Sequence, residues 1–217
     1  MKSYLVIGAG RFGTGIVKEL HKQHCEVVVS DKDERNLELL DEYSTHAIVG
    51  DLREGDVLDE LKIDQFNAVF IAIGSDAYSA ILITKKVKER KAKKIIAKAN
   101  NREIGEILQS LGADRVILPE EEAGRKVARQ EMLTGVIEYI EITKDISAIE
   151  MEVPELMHGK SLNEMNFSRK FDITVSLVLR NGEPILSHFA DLQLQPGDDF
   201  LLIGSNTSID KFKKKYK

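Results

Sequence analysis

Tyr4-Leu5-Val6-Ile7-Gly8-Ala9-Gly10-Arg11-Phe12-Gly13 is the stretch from which the rest of the chain can be read. An apolar run of strand length feeds a glycine-rich turn, and a helix-like pattern follows. In such a unit Gly8 permits the tight turn, Gly10 lets a pyrophosphate approach the backbone, and Gly13 lets the helix pack close to the strand. The unbonded N–H groups at the helix start then face the phosphates, with the positive end of the helix dipole behind them. A bare G-x-G-x-x-G is a weak signal. Here the strand before it and the helix after it point to a nucleotide site, and a loop that is merely glycine-rich is the plainer alternative.

Working outward, Ile16, Val17 and Leu20 continue a helical spacing through Gln23, and Glu26-Val27-Val28-Val29-Ser30 reads as the next strand. It ends on Asp31, 18 residues past Gly13. A dinucleotide fold carries there the carboxylate that accepts the adenosine ribose hydroxyls. A carboxylate repels a 2′-phosphate, which favours NAD or an adenine nucleotide over NADP; a plain turn or cap residue is the alternative. A helix is expected over 34–43, with Leu37, Leu40 and Tyr43 on one side, then a strand at His46-Ala47-Ile48-Val49 and the turn Gly50-Asp51. Asp51 could cap the following helix, expected near 57–62, or face the adenine.

The run Ala68-Val69-Phe70-Ile71-Ala72-Ile73 has the continuous apolar character of a buried parallel strand and ends in Gly74-Ser75-Asp76. A helix over 77–90, a strand over 94–99, a helix over 103–111 stopped by Gly112, and a strand over 115–118 stopped by Pro119 complete the alternation. About six strand–helix units make an α/β, Rossmann-like doubly wound parallel sheet with helices on both faces. Its ligand crevice lies beyond the strand ends, at Gly8 to Gly13, Asp31, Asp51, Gly74, Lys98 and Glu120.

The pattern then changes. Residues 123–133 read as a helix that begins no further strand–helix unit, and alternation from Val136 to Ile149 places a boundary near residue 134. The expected division is 1–122, a helical linker at 123–134, and a second, smaller α+β domain at 135–217. In the latter, strands are expected at 148–153, 174–180, 184–187 and 199–203. Helices are expected near 161–165 and 208–216, and the dipeptide Asn181-Gly182 marks a hairpin. Lys211, Lys213, Lys214, Lys215 and Lys217 form a basic end that suits a helix C-terminus; a contact to anionic lipid or an acidic partner is the other reading.

Composition narrows the class. The chain has 217 residues, 42% hydrophobic and 31% charged, with a net charge of −5, which argues against a nucleic-acid binder. No run approaches membrane-span length, and neither a signal peptide nor an anchor is expected. The single cysteine, Cys25, excludes an internal disulfide and suits a reducing cytoplasm. His21, His24, His46, His158 and His188 fall in no metal or triad pattern, and Ser75 and Ser205 lack a nucleophile-elbow setting. No catalytic residues are expected. A small NAD-dependent oxidoreductase is disfavoured by the short second domain, and a Rossmann-type repressor by the lack of a helix-turn-helix and a basic face.

Gly8-Ala9-Gly10-Arg11-Phe12-Gly13, Asp31, Gly50-Asp51, Ala72-Ile73-Gly74, Lys98-Ala99-Asn100 and Gly112-Ala113-Asp114-Arg115-Val116-Ile117-Leu118-Pro119-Glu120 resemble the regulatory subunits of bacterial Ktr/Trk potassium transporters. These join an RCK (KTN, TrkA-N) nucleotide domain to a smaller RCK-C (TrkA-C) domain, whose closing strands Leu194-Gln195-Pro196-Gly197-Asp198 and Phe200-Leu201-Leu202-Ile203-Gly204 resemble. The resemblance covers nearly the whole chain. It implies a cytoplasmic gating ring, an octamer at the inner face of the membrane beneath an integral-membrane potassium pore, switched by ATP and ADP, with NAD or NADH as other ligands.

The implied site is Gly8, Gly10, Arg11, Phe12, Gly13, Asp31, Lys32, Asp51, Leu52, Ala72, Ile73, Gly74, Lys98 and Glu120. In it Arg11 meets the terminal phosphate, Lys98 sits near the same charges, and Glu120 places a divalent cation. The helix after Glu120 is a crossover onto a neighbouring subunit. Relatives also bind cyclic di-AMP between RCK-C domains. In the matching stretch Met165-Asn166-Phe167-Ser168-Arg169-Lys170-Phe171-Asp172-Ile173 the arginine is displaced by one position and Ser168 stands in its place, a departure from that pattern.

Overall fold

The computed structural model describes residues 2–132, 136–187 and 189–216. The chain forms two compact units, Met1–Glu122 and Ala123–Lys217.

In the first unit, strands β1 (Ser3–Ile7), β2 (Glu26–Asp31), β3 (His46–Val49), β4 (Ala68–Ile71), β5 (Ile95–Lys98) and β6 (Arg115–Ile117) form one sheet in the order β3-β2-β1-β4-β5-β6. All its pairings are parallel. Between them run α1 (Arg11–Lys22), α2 (Glu34–Glu38), α3 (Gly55–Glu60), α4 (Ala77–Glu89) and α5 (Arg102–Ser110). The continuous apolar strands are explained by burial on both faces. On β2, Val28 belongs to the cluster with Leu52, Leu58 and Ile83, whereas Val27 and Val29 belong to the one with Val17, Leu37 and Leu40. The winding reverses between β1 and β4, which opens a crevice at their carboxyl ends.

Helix ends follow local chemistry. Gly112 (φ +103°) closes α5: its N–H donates to Gln109 O at 3.0 Å and that of Ala113 to Leu108 O at 3.0 Å, a Schellman arrangement. Helix α2 is shorter than expected. Beyond Glu38 the chain makes turns in which Leu40 N–H donates to Leu37 O at 2.7 Å and Tyr43 N–H to Leu40 O at 2.9 Å. Leu37, Leu40 and Tyr43 are three apart, which is the repeat of these tighter turns rather than of an α-helix. Helix α3 begins at Gly55, with Glu54 at the N-cap position and no side-chain cap; Asp51 lies four residues before its start and does not cap it. Helix α6 (Pro119–Met132) starts earlier than residue 123, because Pro119 suits the first helical position and Glu120, Glu121 and Glu122 fill a first turn that favours negative charge.

The second unit holds a five-stranded antiparallel sheet, order β10-β9-β11-β8-β7, from β7 (Val136–Glu141), β8 (Ile146–Glu152), β9 (Ile173–Arg180), β10 (Glu183–Ile185) and β11 (Asp198–Ser205). Residues 136–149, read as one alternating run, are a hairpin. Thr143 Oγ1 turns it by accepting from the N–H of Asp145 at 3.3 Å and of Ile146 at 3.1 Å. The boundary near residue 134 lies outside the described residues, as do Leu133, His188 and Lys217.

Asn181 (φ 53°) and Gly182 (φ 78°) make the turn between β9 and β10, where positive φ at both positions matches the strand twist. Helices α7 (Leu162–Met165), α8 (Phe167–Phe171) and α9 (Asn206–Lys215) complete the unit. Helix α8 was not foreseen: Asn166 and Asp172, both left-handed, bracket it. It brings Phe167 within 5.4 Å of the Phe200 and Phe212 rings, and Phe171 within 5.2 Å of Phe212, centroid to centroid. These contacts form the centre of that core.

Candidate functional site

At the β1/β4 crevice the residues of the glycine turn occupy distinct positions. Gly8 has φ +100°, a conformation that side chains disfavour. At Gly13 a Cβ would lie 1.9 Å from the carbonyl oxygen of Gly8, so only glycine lets α1 approach β1. Gly10 has an ordinary φ of −67°, and a Cβ there would meet nothing within 4 Å. Its lack of a side chain therefore serves no packing within the chain and leaves room above the turn. No side chain caps the start of α1, so its first amides remain available to an anion.

A cavity of about 280 Å³ opens beside this turn, near the lower end of ligand-site sizes. Of the residues expected in the site, Gly8, Gly10, Asp31, Lys32, Asp51, Leu52, Ala72, Ile73 and Gly74 line it. The Asp31 carboxylate accepts from Ala9 N–H at 2.6 Å and Asp33 N–H at 2.9 Å, which ties the end of β2 to the glycine turn. Asp51 accepts from the N–H of Arg53 at 3.0 Å and from its Nε at 2.9 Å. That guanidinium holds the Asp51 carboxyl below the usual range, with Lys32 adding a smaller effect.

Sequence reasoning missed Ser30, Arg53, Asp76 and Ser79 as lining residues. Asp76 was signalled by its place before a helical run: it caps α4, accepting from Ser79 N–H at 3.0 Å. Ser79 holds the Asp76 carboxyl low, with smaller contributions from Arg53 and Lys32. Arg53 and Ser30 carried no such local signal.

Arg11, Phe12, Gly13, Lys98 and Glu120 do not line the cavity. Four of them gather on its far side, past Gly74. Lys98 Nζ lies 2.8 Å from where a Gly74 Cβ would be, pairs with Glu120 Oε1 at 2.7 Å, and sits 5.8 Å from the Phe12 ring centroid. The Glu120 carboxyl is held low, chiefly by Lys98 and to a smaller extent by Arg11. Gly13 packs beneath the turn. Among the described residues no group of three or more His, Cys, Asp or Glu could hold a metal ion, so Glu120 would need oxygens from a ligand to complete a cation site. No helix among them is long and apolar enough to cross a membrane.

An uncapped glycine turn, an acid-ended second strand and a cavity that both of them line define a nucleotide-binding Rossmann-like domain, here followed by a small antiparallel α+β unit. Residues 4–119 match the TrkA-N domain and residues 147–217 the TrkA-C domain, and the chain belongs to this TrkA-N/TrkA-C family. It is 32% identical over 216 residues to Ktr system potassium uptake protein A of Vibrio alginolyticus, covering 100% of this chain and 97% of that protein. It is 31% identical over 214 residues to Ktr system potassium uptake protein C of Bacillus subtilis (strain 168), covering 99% and 97%. Among solved structures, the GsuK channel bound to NAD matches with a TM-score of 0.66 at 16% identity, covering 95% of this chain and 38% of that one. At that identity the likeness concerns the fold.

Proposed function

We propose that this chain is the nucleotide-binding gating subunit of a potassium uptake system, peripheral to the cytoplasmic face of the membrane through an integral-membrane partner. The observation that carries the reading is the match along almost the whole chain to Ktr system potassium uptake proteins. The cavity at the glycine turn supports it, and so does a neighbour in fold that is bound to NAD. An oxidoreductase is not favoured, because the relatives are named for potassium uptake.

ATP and ADP are the proposed ligands, with NAD or NADH in the same cleft. Asp31 takes the ribose hydroxyls, the α1 amides and Gly10 take the diphosphate, and Arg11 and Lys98 take the outermost phosphate. A divalent cation is proposed between that phosphate and Glu120, which exchanges Lys98 for it. The ligand shifts a homo-oligomeric ring, proposed as an octamer, only by its differential affinity for the ring's states. Helix α6 is proposed as the crossover between subunits. A role for the second unit as a cyclic di-AMP receptor has less support, since Ser168 interrupts the expected arginine pattern.

Calorimetric titration with ATP, ADP, NAD and NADH tests the reading, and no binding by any of them sinks it. Light scattering behind size exclusion separates a ring from a monomer or dimer. Arg11→Ala is expected to weaken ATP roughly ten- to a hundredfold while ADP changes little, since a charge-assisted phosphate contact contributes about 1.5–3 kcal/mol. Asp31→Ala weakens both, because they share the ribose. Equal losses of ATP and ADP in Arg11→Ala would show that this residue does not read the outer phosphate.

A further inference from the structure

We propose that the Ser30 hydroxyl is a base-reading contact, donating a hydrogen bond to a ring nitrogen of the purine in the cleft; this rests on the nucleotide reading above. Ser30 is the penultimate residue of β2 and is 1% exposed. Among the described residues its Oγ is the buried side-chain polar atom that has no hydrogen-bond partner. The fold satisfies the other buried hydroxyls. Thr84 Oγ1 donates to Ala80 O at 2.7 Å, Ser147 Oγ pairs with Tyr139 and Asn206 at 2.7 and 2.6 Å, and Ser208 Oγ pairs with Ser205 at 2.8 Å. Ser79 and Ser161 are engaged at their helix caps. An orphan hydroxyl in a strand buried on both faces destabilises the fold unless something outside the chain meets it.

The position says what that something is. Ser30 lines the cavity together with Ile7, Leu52 and Ile83. Strand alternation puts its side chain on the same face as Val28, whose cluster contains those three residues. The hydroxyl thus stands among the apolar residues of a lining that elsewhere is largely polar. Phosphates belong at the glycine turn, where the α1 amides are, and the ribose belongs at Asp31. A flat base is the part of a nucleotide that suits apolar neighbours, and its ring nitrogens are acceptors at its edge. A site built to bond one atom of a ligand rejects an analogue lacking it, because the buried group is then left unpaired.

The test compares wild type with Ser30→Ala, using ADP and its 1-, 3- and 7-deaza analogues in calorimetry, and thermal unfolding without ligand. The expected result has opposite signs: Ser30→Ala keeps or raises the ligand-free midpoint while ADP affinity falls about tenfold. One deaza analogue loses a similar factor against wild type and nothing further against Ser30→Ala, the signature of a direct pair in a double-mutant cycle. Wild-type ADP affinity in Ser30→Ala, or deaza losses that are the same in both proteins, overturns the contact and assigns the hydroxyl to a structural water. If wild type binds no adenine nucleotide, the proposed function falls and this contact with it.

Discussion

Gly13→Ala is expected to destabilise the first unit by about 3 kcal/mol or more and to abolish nucleotide binding. The new Cβ would stand 1.9 Å from the carbonyl oxygen of Gly8 and 3.0 Å from its carbon. Those are backbone atoms with little freedom to retreat. Gly8 N–H donates to Ser30 O at 2.7 Å, and Ala72 N–H donates to Ile7 O at 2.7 Å, so the turn is fixed to both neighbouring strands. Relief would require α1 to move away from β1, opening the packing of Val17 and Ala9 against Val6 and Ala72.

Two other glycines on the same stretch serve as controls. Gly15→Ala, where a Cβ meets nothing within 4 Å, is expected to stabilise α1 by about 0.5–1 kcal/mol through helix propensity. Gly10→Ala is expected to leave stability nearly unchanged and to reduce nucleotide affinity alone, because its Cβ enters the room above the turn rather than the protein. Hydrogen exchange at β1 and β4, with titration of each variant, checks all three. Wild-type exchange in Gly13→Ala would refute the close-approach argument.

Asp198→Ala is expected to destabilise the second unit by about 2–3 kcal/mol, because it removes a buried acceptor of charge-assisted hydrogen bonds while Arg180, 26% exposed, keeps access to water. The Asp198 side chain is 1% exposed. It accepts a bidentate pair from Arg180, Nε at 2.8 Å and Nη2 at 2.7 Å, and the N–H of Gln195 at 2.8 Å. Arg180 also donates to Gln193 O at 3.0 Å, so one guanidinium joins β9, the turn before β11 and β11 itself. Without the carboxylate the cation loses its partner and the turn at Pro196-Gly197 loses its closing acceptor.

The Arg180 hydrogen bonds hold the Asp198 carboxyl below its ordinary value. A depressed acid contributes stability that is fully present above its unfolded pKa of about 3.9 and is lost as pH falls through the lower folded value. Asp199 acts oppositely: burial, with Glu152 facing it across the sheet, raises its carboxyl. Its charge is therefore destabilising near neutrality, and protonation in acid relieves it. Denaturant midpoints of the second unit, measured from pH 7 down to pH 3, should fall steeply in wild type and more shallowly in Asp198→Asn. Parallel curves would show that the pair does not carry the acid sensitivity.

Much of the first unit was legible because its signals are local. The run Ala68-Val69-Phe70-Ile71 reads as a buried parallel strand because a parallel sheet covered by helices leaves no polar face. Gly112 reads as a helix stop because the left-handed turn that follows α5 excludes most other residues. The ends of elements were less legible. The spacing of Leu37, Leu40 and Tyr43 fits one face of a helix nearly as well as it fits consecutive tight turns. In the second unit, alternation cannot show where a strand folds back, so the β7–β8 hairpin passed for one run. The aromatic cluster around Phe212 was invisible because its members come from α8, β11 and α9.

The same division runs through the site. The sequence by itself determined the parallel sheet, the glycine turn, the acid ending β2 and the order of strand ends, since each depends on residues close together in the chain. Tertiary structure alone decided which of those strand ends share a cavity, and that Lys98 reaches Glu120 rather than the cavity. It also decided that the Ser30 hydroxyl lies beside Ile7, Leu52 and Ile83 without a partner. Those outcomes depend on how β1, β2, β4 and the helices over them pack, and side chains far apart in sequence acquire neighbours only when that packing excludes water and fixes the distances.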